Sequence, residues 1–312
     1  MPSRIEKKKI SKKRKVLYWI GGIILTLLLL GIGYGVYVYT QLDNAVEAMH
    51  EPLSRDMERQ KEMDNVFKSK ESFNILLLGV DERSTDKGRS DTMVFMSLNP
   101  RTDSMIMMSI PRDTYVDIPG RGMDKINHAY AFGGSDLTLN TVEQVLDVPI
   151  HFYSKINMEG FIQGVDAIGG VTVNNSFAFD QDGESFAEGN IRLNGEQALK
   201  YTRMRKQDPR GDFGRNDRQR QVIQAAIDEA ADFSSVTKVG NILDILGGNV
   251  KTNLEMDNLQ TLFSDYRQTR KNVNNIQIEG SGSTIGRIWY YVVPDAEWDR
   301  IQTEIKTHME AK

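Results

Sequence analysis

The sequence predicts a layered α/β fold that follows one membrane-spanning helix. Short apolar segments ended by glycine, asparagine or proline indicate buried strands, and longer segments with apolar residues three or four apart indicate helices. The strands are predicted at 73–79, 92–98, 104–110, 150–156 and 171–173. Amphipathic helices are predicted at 135–147 and 157–168. Because helices alternate with strands, we expect them to pack in layers with one sheet.

The N-terminal segment has the charge pattern of a membrane anchor. Residues 1–15 contain eight basic residues and one acidic residue, and residues 16–39 are uncharged. As a helix, residues 16–39 extend about 36 Å, which is long enough to cross a bilayer. Trp19 near the start and Tyr37 near the end lie where aromatic side chains contact the membrane interfaces.

The charges on either side of this segment predict its orientation. The basic flank precedes it and Asp43 and Glu51 follow it, so the positive-inside rule places residues 1–15 in the cytoplasm. The remainder is then extracellular, as in a single-pass type II protein of the cell membrane. A cleaved signal peptide is the alternative, but its shorter apolar core and small-residue cleavage site are absent. Residues 40–72 are interpreted as an extracellular helical stalk or an ordinary linker, before a domain at 73–312.

The composition narrows the classes of partner. The chain has a net charge of −4, but residues 16–312 contain 31 basic and 42 acidic residues, a net charge of −11. An acidic domain argues against nucleic-acid binding. The absence of cysteine excludes disulfides and is compatible with an exported bacterial protein.

The C-terminal half is predicted to contain more helices than strands. Asn194 and Asn216 each begin a capping box, the first opening a helix that ends near Tyr201 and the second a helix over 216–233. Outer helices are predicted at 236–246 and 257–270, and a last helix after Pro294. Strands at 275–279 and 287–293 are expected to pair around the turn region 280–283.

A cluster of arginines lies between the two capped helices. Two guanidinium groups about 4 Å apart repel by roughly 4 kcal/mol at an effective dielectric near 20, so arginines that converge need an anion. The planar fork of arginine suits phosphate. A solvated basic face or scattered surface ion pairs is the alternative. The cluster contains Arg203, Arg205, Arg210, Arg215, Arg218 and Arg220.

The loop after the first strand combines acidic and basic residues. Asp81 and Asp91 bracket it, and Arg83 and Arg89 lie between them. Mg²⁺ usually takes one or two carboxylates and leaves its other positions to water and substrate phosphates. Arg112 follows the third strand at the same predicted sheet edge, so this edge suits a pyrophosphate.

Several catalytic motifs are absent from the sequence. There is no G-x-S-x-G elbow, no G-x-x-x-x-G-K-[ST] loop and no H-E-x-x-H pair. The four histidines are too dispersed for a zinc site, and His128 and His151 are interpreted as structural.

Seven segments, in this order, resemble the LytR-CpsA-Psr family of Gram-positive bacteria over about residues 74–232. They are Leu76–Asp81, Arg89–Thr92, Ser109–Asp113, Lys125–Tyr130, Arg203–Arg205, Asp212–Arg215 and Arg218–Gln219. The resemblance implies an α-β-α fold with a mixed sheet between helices. It also implies an apolar tunnel for a polyprenyl tail, and the helices at 135–147, 157–168 and 216–233 are expected to form its walls.

The resemblance further implies a Mg²⁺-dependent phosphotransferase, with Mn²⁺ as a possible substitute. Such an enzyme moves an anionic glycopolymer such as wall teichoic acid from undecaprenyl pyrophosphate to the muramic acid C6 hydroxyl of peptidoglycan. Asp81 and Asp91 are expected to hold the metal, Arg112 to be catalytic, and Asp212 to be the general base or to orient Arg215. The pyrophosphate-binding residues implied are Arg83, Arg89, Arg112, Lys125, Arg203, Arg205, Arg215 and Gln219.

Two other functions remain open from the sequence. The same site with water as nucleophile would make the protein a polyprenyl pyrophosphate hydrolase. A regulator or lipid-carrier binding protein without turnover is the second alternative, although only residues 1–15 are expected in the cytoplasm. Within the arginine cluster, Arg210 and Arg220 are expected at the surface.

Overall fold

The computed structural model of the protein describes residues 12–82, 88–231 and 247–312. The strands of the described part are β1 (Phe73–Val80), β2 (Ser90–Asn99), β3 (Ser104–Ser109), β4 (Tyr115–Ile118), β5 (Gly122–Lys125), β6 (Phe152–Asn157), β7 (Val171–Asn175), β8 (Phe179–Gln181), β9 (Glu184–Phe186), β10 (Gly189–Leu193), β11 (Val250–Thr252), β12 (Val273–Ile276), β13 (Ser281–Ile285) and β14 (Ile288–Val292). The helices are α1 (Lys12–Met49), α2 (Asp56–Lys68), α3 (His128–Leu146), α4 (Met158–Ala167), α5 (Gly195–Arg203), α6 (Asp212–Ala231), α7 (Met256–Thr261) and α8 (Asp295–Glu310).

A six-stranded mixed sheet forms the centre, with the strand order β11-β6-β1-β2-β3-β12. β1 is parallel to β6 and β3 is parallel to β12, whereas β2 runs antiparallel between β1 and β3. Therefore β1, β3, β6 and β12 all end at one edge of the sheet, which we call the carboxyl edge. Polar residues that follow these strands are brought together at this edge.

Successive residues of β1 face two different apolar cores. Leu76 and Leu78 face the core formed with α3 and α8, whereas Phe73 and Ile75 face the core that includes α2 and Tyr266. Each fully buried side chain of this size contributes about 1.5–3 kcal/mol. Helices thus cover both faces, which confirms the predicted mixed sheet between helical layers.

A third core lies beside the sheet and holds the middle of α6. The β8–β9 hairpin supplies Phe179 and Phe186, which pack with Tyr201 of α5 and Val222 of α6, and the β7–β10 pair supplies valine and leucine side chains. The strand predicted at 171–173 is therefore present as β7, but it pairs with β10 outside the main sheet.

The helices expected to wall a lipid tunnel contact more than one core. Leu139 of α3 belongs to the first core, and Phe213 at the start of α6 packs against the same core. Further along α6, Ile223 and Ile227 pack against the second core. The tunnel and its walls stay a prediction.

The segment predicted as a stalk packs against the domain. Met63 and Val66 of α2 are buried in the second core, and Leu53 is buried in the first. Arg55 pairs with Glu143 of α3. Residues 40–72 are largely helical, as predicted. They form part of the domain and not a separate stalk, because their few apolar residues pack against the sheet.

Two other predicted boundaries are wrong. α6 begins at Asp212 and not at Asn216, so Asn216 lies inside the helix and does not begin a capping box. The turn of the C-terminal hairpin is Gly286-Arg287, where both residues have positive φ, and not 280–283. The preceding segment forms β12, which pairs with β3 in the main sheet. The helix predicted at 236–246 lies outside the described residues.

The N-terminal helix α1 contains one stretch, Leu25–Met49, that is long and apolar enough to cross a membrane. Its side chains from Leu25 to Tyr37 are exposed, whereas Val46 and Met49 near its end pack against Val250 of β11. The helix thus has a free apolar part and a part that is fixed to the domain.

Candidate functional site

An irregularity in the pairing of β1 with β2 positions Asp91. Gly79 pairs with Thr92 but Val80 pairs with Ser90, so Asp91 is the extra residue of a β-bulge. Bulges redirect a side chain and occur often beside active sites. Asp81 follows β1 directly, and its backbone N donates to the carbonyl of Arg89 at 3.2 Å. Both aspartates therefore lie at the carboxyl edge.

Gly88 allows the two ends of this loop to approach each other. Its φ is +69°, and a Cβ at this position would lie 2.2 Å from the carbonyl oxygen of Asp81. An L-residue here would be strained and would also displace Asp81. Arg83, one of the predicted pyrophosphate-binding residues, lies outside the described residues.

Arg112 joins the third strand to the bulge. Its Nη1 donates to Oδ1 of Asp91 at 2.9 Å, and its Nε lies 3.6 Å from Oδ2 of Asp113. Lys125 donates from Nζ to the other oxygen of Asp113 at 2.7 Å. Burial acts to lower the pKa of Arg112, but the carboxylates of Asp91, Asp113 and Asp212 outweigh it and raise that pKa. The guanidinium is thus held among three acids.

A polar cavity of about 510 Å³ opens at this edge. It is lined by Asp81, Gly88, Arg89, Asp91, Arg112, Asp113, Lys125 and Asn127. The structure therefore brings together five residues that the sequence assigned to the site, from four of the seven segments. Asp113 and Asn127 were not predicted as site residues, although they lie within the family segments Ser109–Asp113 and Lys125–Tyr130.

A second pair of arginines shares one carboxylate at the start of α6. Arg215 donates from Nη2 to Oδ2 of Asp212 at 3.1 Å, and Arg205 donates from Nη1 to Oδ1 at 3.5 Å. The pKa of Arg215 is lowered by burial first, and the neighbouring cations Arg112 and Arg205 add to this effect. Three guanidinium groups therefore lie within electrostatic range of one another, an arrangement that favours an anion.

Two predicted residues make no such contacts. Arg203 is the last residue of α5 and is exposed, and Gln219 is half-buried on α6. Neither side chain has a hydrogen bond or ion pair with the described part of the chain. Their assignment to the pyrophosphate stays a prediction.

Arg220 is buried, so its predicted surface position is wrong. Its Nη1 donates to Oγ of Ser109 at 2.8 Å, its Nε donates to Oδ1 of Asn275 at 3.2 Å, and it pairs with Asp217. Ser109 and Asn275 belong to β3 and β12. Arg220 therefore anchors α6 to the sheet. Arg210 is exposed, as predicted.

Arg218 holds the loop before α6 in place. It is buried and donates to Oδ2 of Asp208 at 2.7 Å and to the carbonyl of Met204 at 2.6 Å. Burial acts to raise the pKa of Asp208, but the hydrogen bond from Arg218 outweighs it and lowers that pKa. Gly214 makes room, since a Cβ there would lie 1.7 Å from Oδ2 of Asp208. Together these contacts fix the loop that carries Arg205 and the first turn of α6, whose Arg215 is within electrostatic range of Arg112 and Asp91.

A partly exposed polar network adjoins Asp81. Tyr130 donates from its hydroxyl to Glu82, and Lys155 donates from Nζ to the same hydroxyl at 3.2 Å. Burial, with the neighbouring Glu82, raises the pKa of Tyr130. Lys155 Nζ also lies 3.1 Å from Oε1 of Glu51, so the network joins the residues after α1 to the loop of the site.

The oxygen atoms around the cavity suit a divalent cation. Asp81 and Asp91 line it, and Oδ1 of Asn127 is buried without a hydrogen-bond partner in the described residues. Carboxylate and amide oxygens are the ligands that Mg²⁺ uses in proteins, usually with water and phosphate in the other positions. No cluster of three acidic or histidine ligands exists within 12–82, 88–231 and 247–312. The donor set thus fits a cation that shares its coordination with substrate.

The fold and site define an α-β-α domain, attached to an apolar N-terminal helix, with carboxylates and arginines around one polar cavity. The sequence profile of the LytR_cpsA_psr family matches residues 36–307. The protein therefore belongs to the LytR-CpsA-Psr family, as its motifs indicated.

Similar proteins carry names that describe an activity. A relative from Oceanobacillus iheyensis, named polyisoprenyl-teichoic acid–peptidoglycan teichoic acid transferase TagU, is 58% identical over 318 residues, 99% of each chain. The crystal structure of B. subtilis TagU is 48% identical, with a TM-score of 0.64 over 78% of this chain and 99% of that chain. A structure of TagT bound to LI-WTA is 33% identical, with a TM-score of 0.66 over 77% and 92%.

Proposed function

We propose that this protein transfers an anionic glycopolymer, wall teichoic acid, from an undecaprenyl pyrophosphate carrier to the C6 hydroxyl of muramic acid in peptidoglycan. The observation that carries the proposal is a polar cavity lined by Asp81, Asp91 and Arg112, with Arg215 within electrostatic range of Arg112 and Asp91. Guanidinium groups bind phosphate oxygens, and the carboxylates can hold a cation that neutralises further charge on a pyrophosphate. The names of the relatives support this substrate class.

The arginines would stabilise charge on the substrate. Arg112, Arg205 and Arg215 donate to the pyrophosphate oxygens while the muramic acid hydroxyl attacks the phosphorus that carries the polymer. The bond from that phosphorus to the bridging oxygen breaks, undecaprenyl phosphate leaves with the electron pair, and the proton of the attacking hydroxyl passes to this leaving phosphate unless Asp212 accepts it. Preorganised donors of this kind supply most of the rate enhancement in phosphoryl transfer.

Asp81 and Asp91 would hold a Mg²⁺ or Mn²⁺ ion, with Asn127 as a further oxygen donor. When bound, such an ion neutralises negative charge on the phosphate oxygens and on the leaving group. Arg112, which donates to Asp91, orients that carboxylate.

Asp212 would position the two arginines of the loop. Both of its oxygens accept from guanidinium groups, one from Arg205 and one from Arg215. In the alternative role it is the general base that accepts the proton of the attacking hydroxyl. The two roles differ in how far transfer falls when this carboxylate is replaced by an amide.

The membrane arrangement proposed is single-pass type II. Residues 1–15 would lie in the cytoplasm, 16–39 would span the membrane, and the domain would be extracellular, where peptidoglycan lies. The excess of basic residues before the apolar segment supports this orientation. Protease treatment of protoplasts should cleave a C-terminal tag; a protected tag would reverse the orientation.

The test is transfer of labelled lipid-linked polymer to peptidoglycan by the full chain. Arg112→Ala and Asp91→Ala should each abolish transfer with an unchanged circular dichroism spectrum. Arg300→Ala is the matched control, because Arg300 is 46% exposed and pairs with Glu297 and Glu304 on α8, outside the cavity lining. Normal transfer by either site variant would contradict the proposal.

The products separate this function from the two alternatives. A hydrolase would release free phosphoglycan into solution, whereas a transferase leaves the polymer attached to the wall. A binding protein without turnover would retain the lipid-linked polymer unchanged and would co-purify with it.

A further inference from the structure

The β13–β14 hairpin exposes three large apolar side chains at its tip. Ile285, Ile288 and Trp289 are 39%, 50% and 50% exposed, whereas Tyr290 and Tyr291 at the base are buried. Trp289 is held in place, because its ring lies over Gly282, where a Cβ would be 2.8 Å from Nε1. Isolated exposed apolar residues are common, but a contiguous group indicates a binding surface.

The turn itself does not require this composition. Gly286 and Arg287 have φ of +58° and +71°, as in a two-residue type I′ turn. The β8–β9 hairpin has the same kind of turn at Asp182-Gly183, and Gln181 and Glu184 flank it. The β8–β9 hairpin thus forms the same type of turn with polar residues beside it. The turn geometry therefore does not account for the apolar residues at the tip of β13–β14.

The hairpin lies at the carboxyl edge beside the cavity. β12, which precedes the hairpin, ends at that edge. α8, which follows the hairpin, has its C-terminal end near Ser104 at the start of β3, so its N-terminal end lies towards the carboxyl edge. At its base Tyr291 N donates to the carbonyl of Asp113 at 2.8 Å. The Nζ of Lys125, which lines the cavity, is 5.7 Å from the ring centre of Tyr290.

The N-terminal helix leaves the domain past the same edge. Glu51 N donates to the carbonyl of Thr252, Lys251 Nζ donates to the carbonyl of Ala48, and Val46 packs with Val250. β11 is antiparallel to β6, and Val250 pairs with Ile156 near the end of β6. From Met49 towards its N-terminus, α1 therefore runs towards the carboxyl edge. The apolar stretch Leu25–Met49 lies along this direction.

We propose that the β13–β14 tip enters the surface of the bilayer that α1 spans, so that the cavity faces the membrane. The proposal rests on the membrane anchoring given as part of the proposed function. Tryptophan prefers the membrane interface, isoleucine side chains reach into the acyl region, and Arg287 can contact lipid phosphates. The tip and α1 would then hold the domain at two points on either side of the cavity.

The absence of cysteine makes a direct test possible. Ile288→Cys in the full chain gives one thiol for a spin label, and Ser185→Cys in the β8–β9 hairpin gives the matched control. Both proteins are reconstituted into vesicles of phosphatidylcholine and phosphatidylglycerol. Collisions of the label with oxygen, which partitions into lipid, are compared with collisions with a water-soluble nickel chelate.

The label at position 288 should collide mainly with oxygen, and the label at position 185 mainly with the nickel chelate. Equal exposure of both labels to the chelate would overturn the proposal. Protection of position 288 only after soluble glycan strands are added would also overturn it, and would assign the tip to peptidoglycan.

A second measurement links the tip to turnover. The variant Ile288→Ser/Trp289→Ser should raise KM roughly tenfold for substrate embedded in vesicles, because two apolar side chains leave the lipid. Turnover of a short-chain, water-soluble analogue should not change. An equal loss on both substrates would contradict the proposal. If the unmodified protein transfers neither substrate, the proposed function fails, while the label accessibilities still decide the position of the tip.

Discussion

Arg220 of α6 donates a hydrogen bond from Nη1 to Oγ of Ser109, the last residue of β3, at 2.8 Å. Its side chain is buried and also pairs with Asp217. We expect Arg220→Met to lower the free energy of unfolding by about 3 kcal/mol, because polar partners at the sheet edge lose a charged donor. Thermal unfolding of the full chain in detergent measures this change.

The control for this prediction is Arg210→Met. Arg210 pairs with the same carboxylate of Asp217 at 2.5 Å but is 53% exposed. An exposed ion pair contributes about 1 kcal/mol or less. Similar destabilisation by both variants would show that Arg220 does not anchor α6.

Substitution of Asp212 tests whether it positions arginines or accepts a proton. Asp212→Asn keeps an oxygen that can accept from Arg215, so we expect transfer to fall only about tenfold. Loss of a general base lowers the rate by roughly 10²–10⁴-fold. The measurement is kcat/KM for transfer by Asp212→Asn and by the unmodified protein, and a fall of more than about 10²-fold would identify a base.

Replacing Gly88 should weaken cation binding through Asp81. Gly88→Ala places a methyl group 2.2 Å from the carbonyl oxygen of Asp81 and must displace it. Gly120→Ala is the matched control, because Gly120 has a similar φ of +73° and nothing within 4 Å of its Cβ position. We expect about tenfold weaker Mn²⁺ binding only for Gly88→Ala, measured by electron paramagnetic resonance. Equal affinities in the two variants would contradict this role of the loop.

The stability of the domain should fall in mild acid because of His151. Its Nδ1 accepts from the backbone N of Asn74 at 3.0 Å, and burial, aided by Arg59, lowers its pKa to about 4. The ordinary pKa is near 6.5, so between these values the unfolded chain binds a proton that the folded chain does not. The contribution is complete above pH 6.5 and is lost as pH falls towards 4.

We expect this loss to amount to about 3 kcal/mol between pH 7 and 4. Comparison with His151→Gln isolates it from the titration of carboxylates. The difference in free energy of unfolding between the two proteins should shrink as the pH falls. A difference that stays constant over this range would show that His151 is not the titrating group.

Local signals in the sequence predicted most of the strands of the sheet and five of the eight residues that line the cavity. Gly79 and Pro111 end apolar segments, and the polar residues that follow them meet at the carboxyl edge because β1 and β3 run in the same direction. The positions of Asp81 and Arg112 relative to these strand ends were therefore predictable. The bulge that redirects Asp91 was not, since it depends on the register between two strands.

The burial of Arg220 could not be predicted from its surroundings in the sequence. Its partners Ser109 and Asn275 are 111 and 55 residues away in the sequence. The charge pattern of 201–221 does not distinguish Arg220 from Arg210, which is exposed. The same limit applies to the C-terminal hairpin. The pairing of β12 with β3 is a long-range contact. Because the segment predicted as the first strand of the hairpin pairs with β3, the turn lies at Gly286-Arg287 and not at the predicted 280–283.

Gly214 lies at a point where helix propensity and a buried ion pair oppose each other. Alanine in its place would favour the helix by about 1 kcal/mol. The added methyl group would occupy the position of Oδ2 of Asp208, 1.7 Å away, and would leave buried Arg218 without its counter-charge. Breaking a buried pair costs roughly 3–5 kcal/mol. In homologous sequences, Gly214, Asp208 and Arg218 should therefore be replaced together or retained together, so that this loop is inherited as a unit.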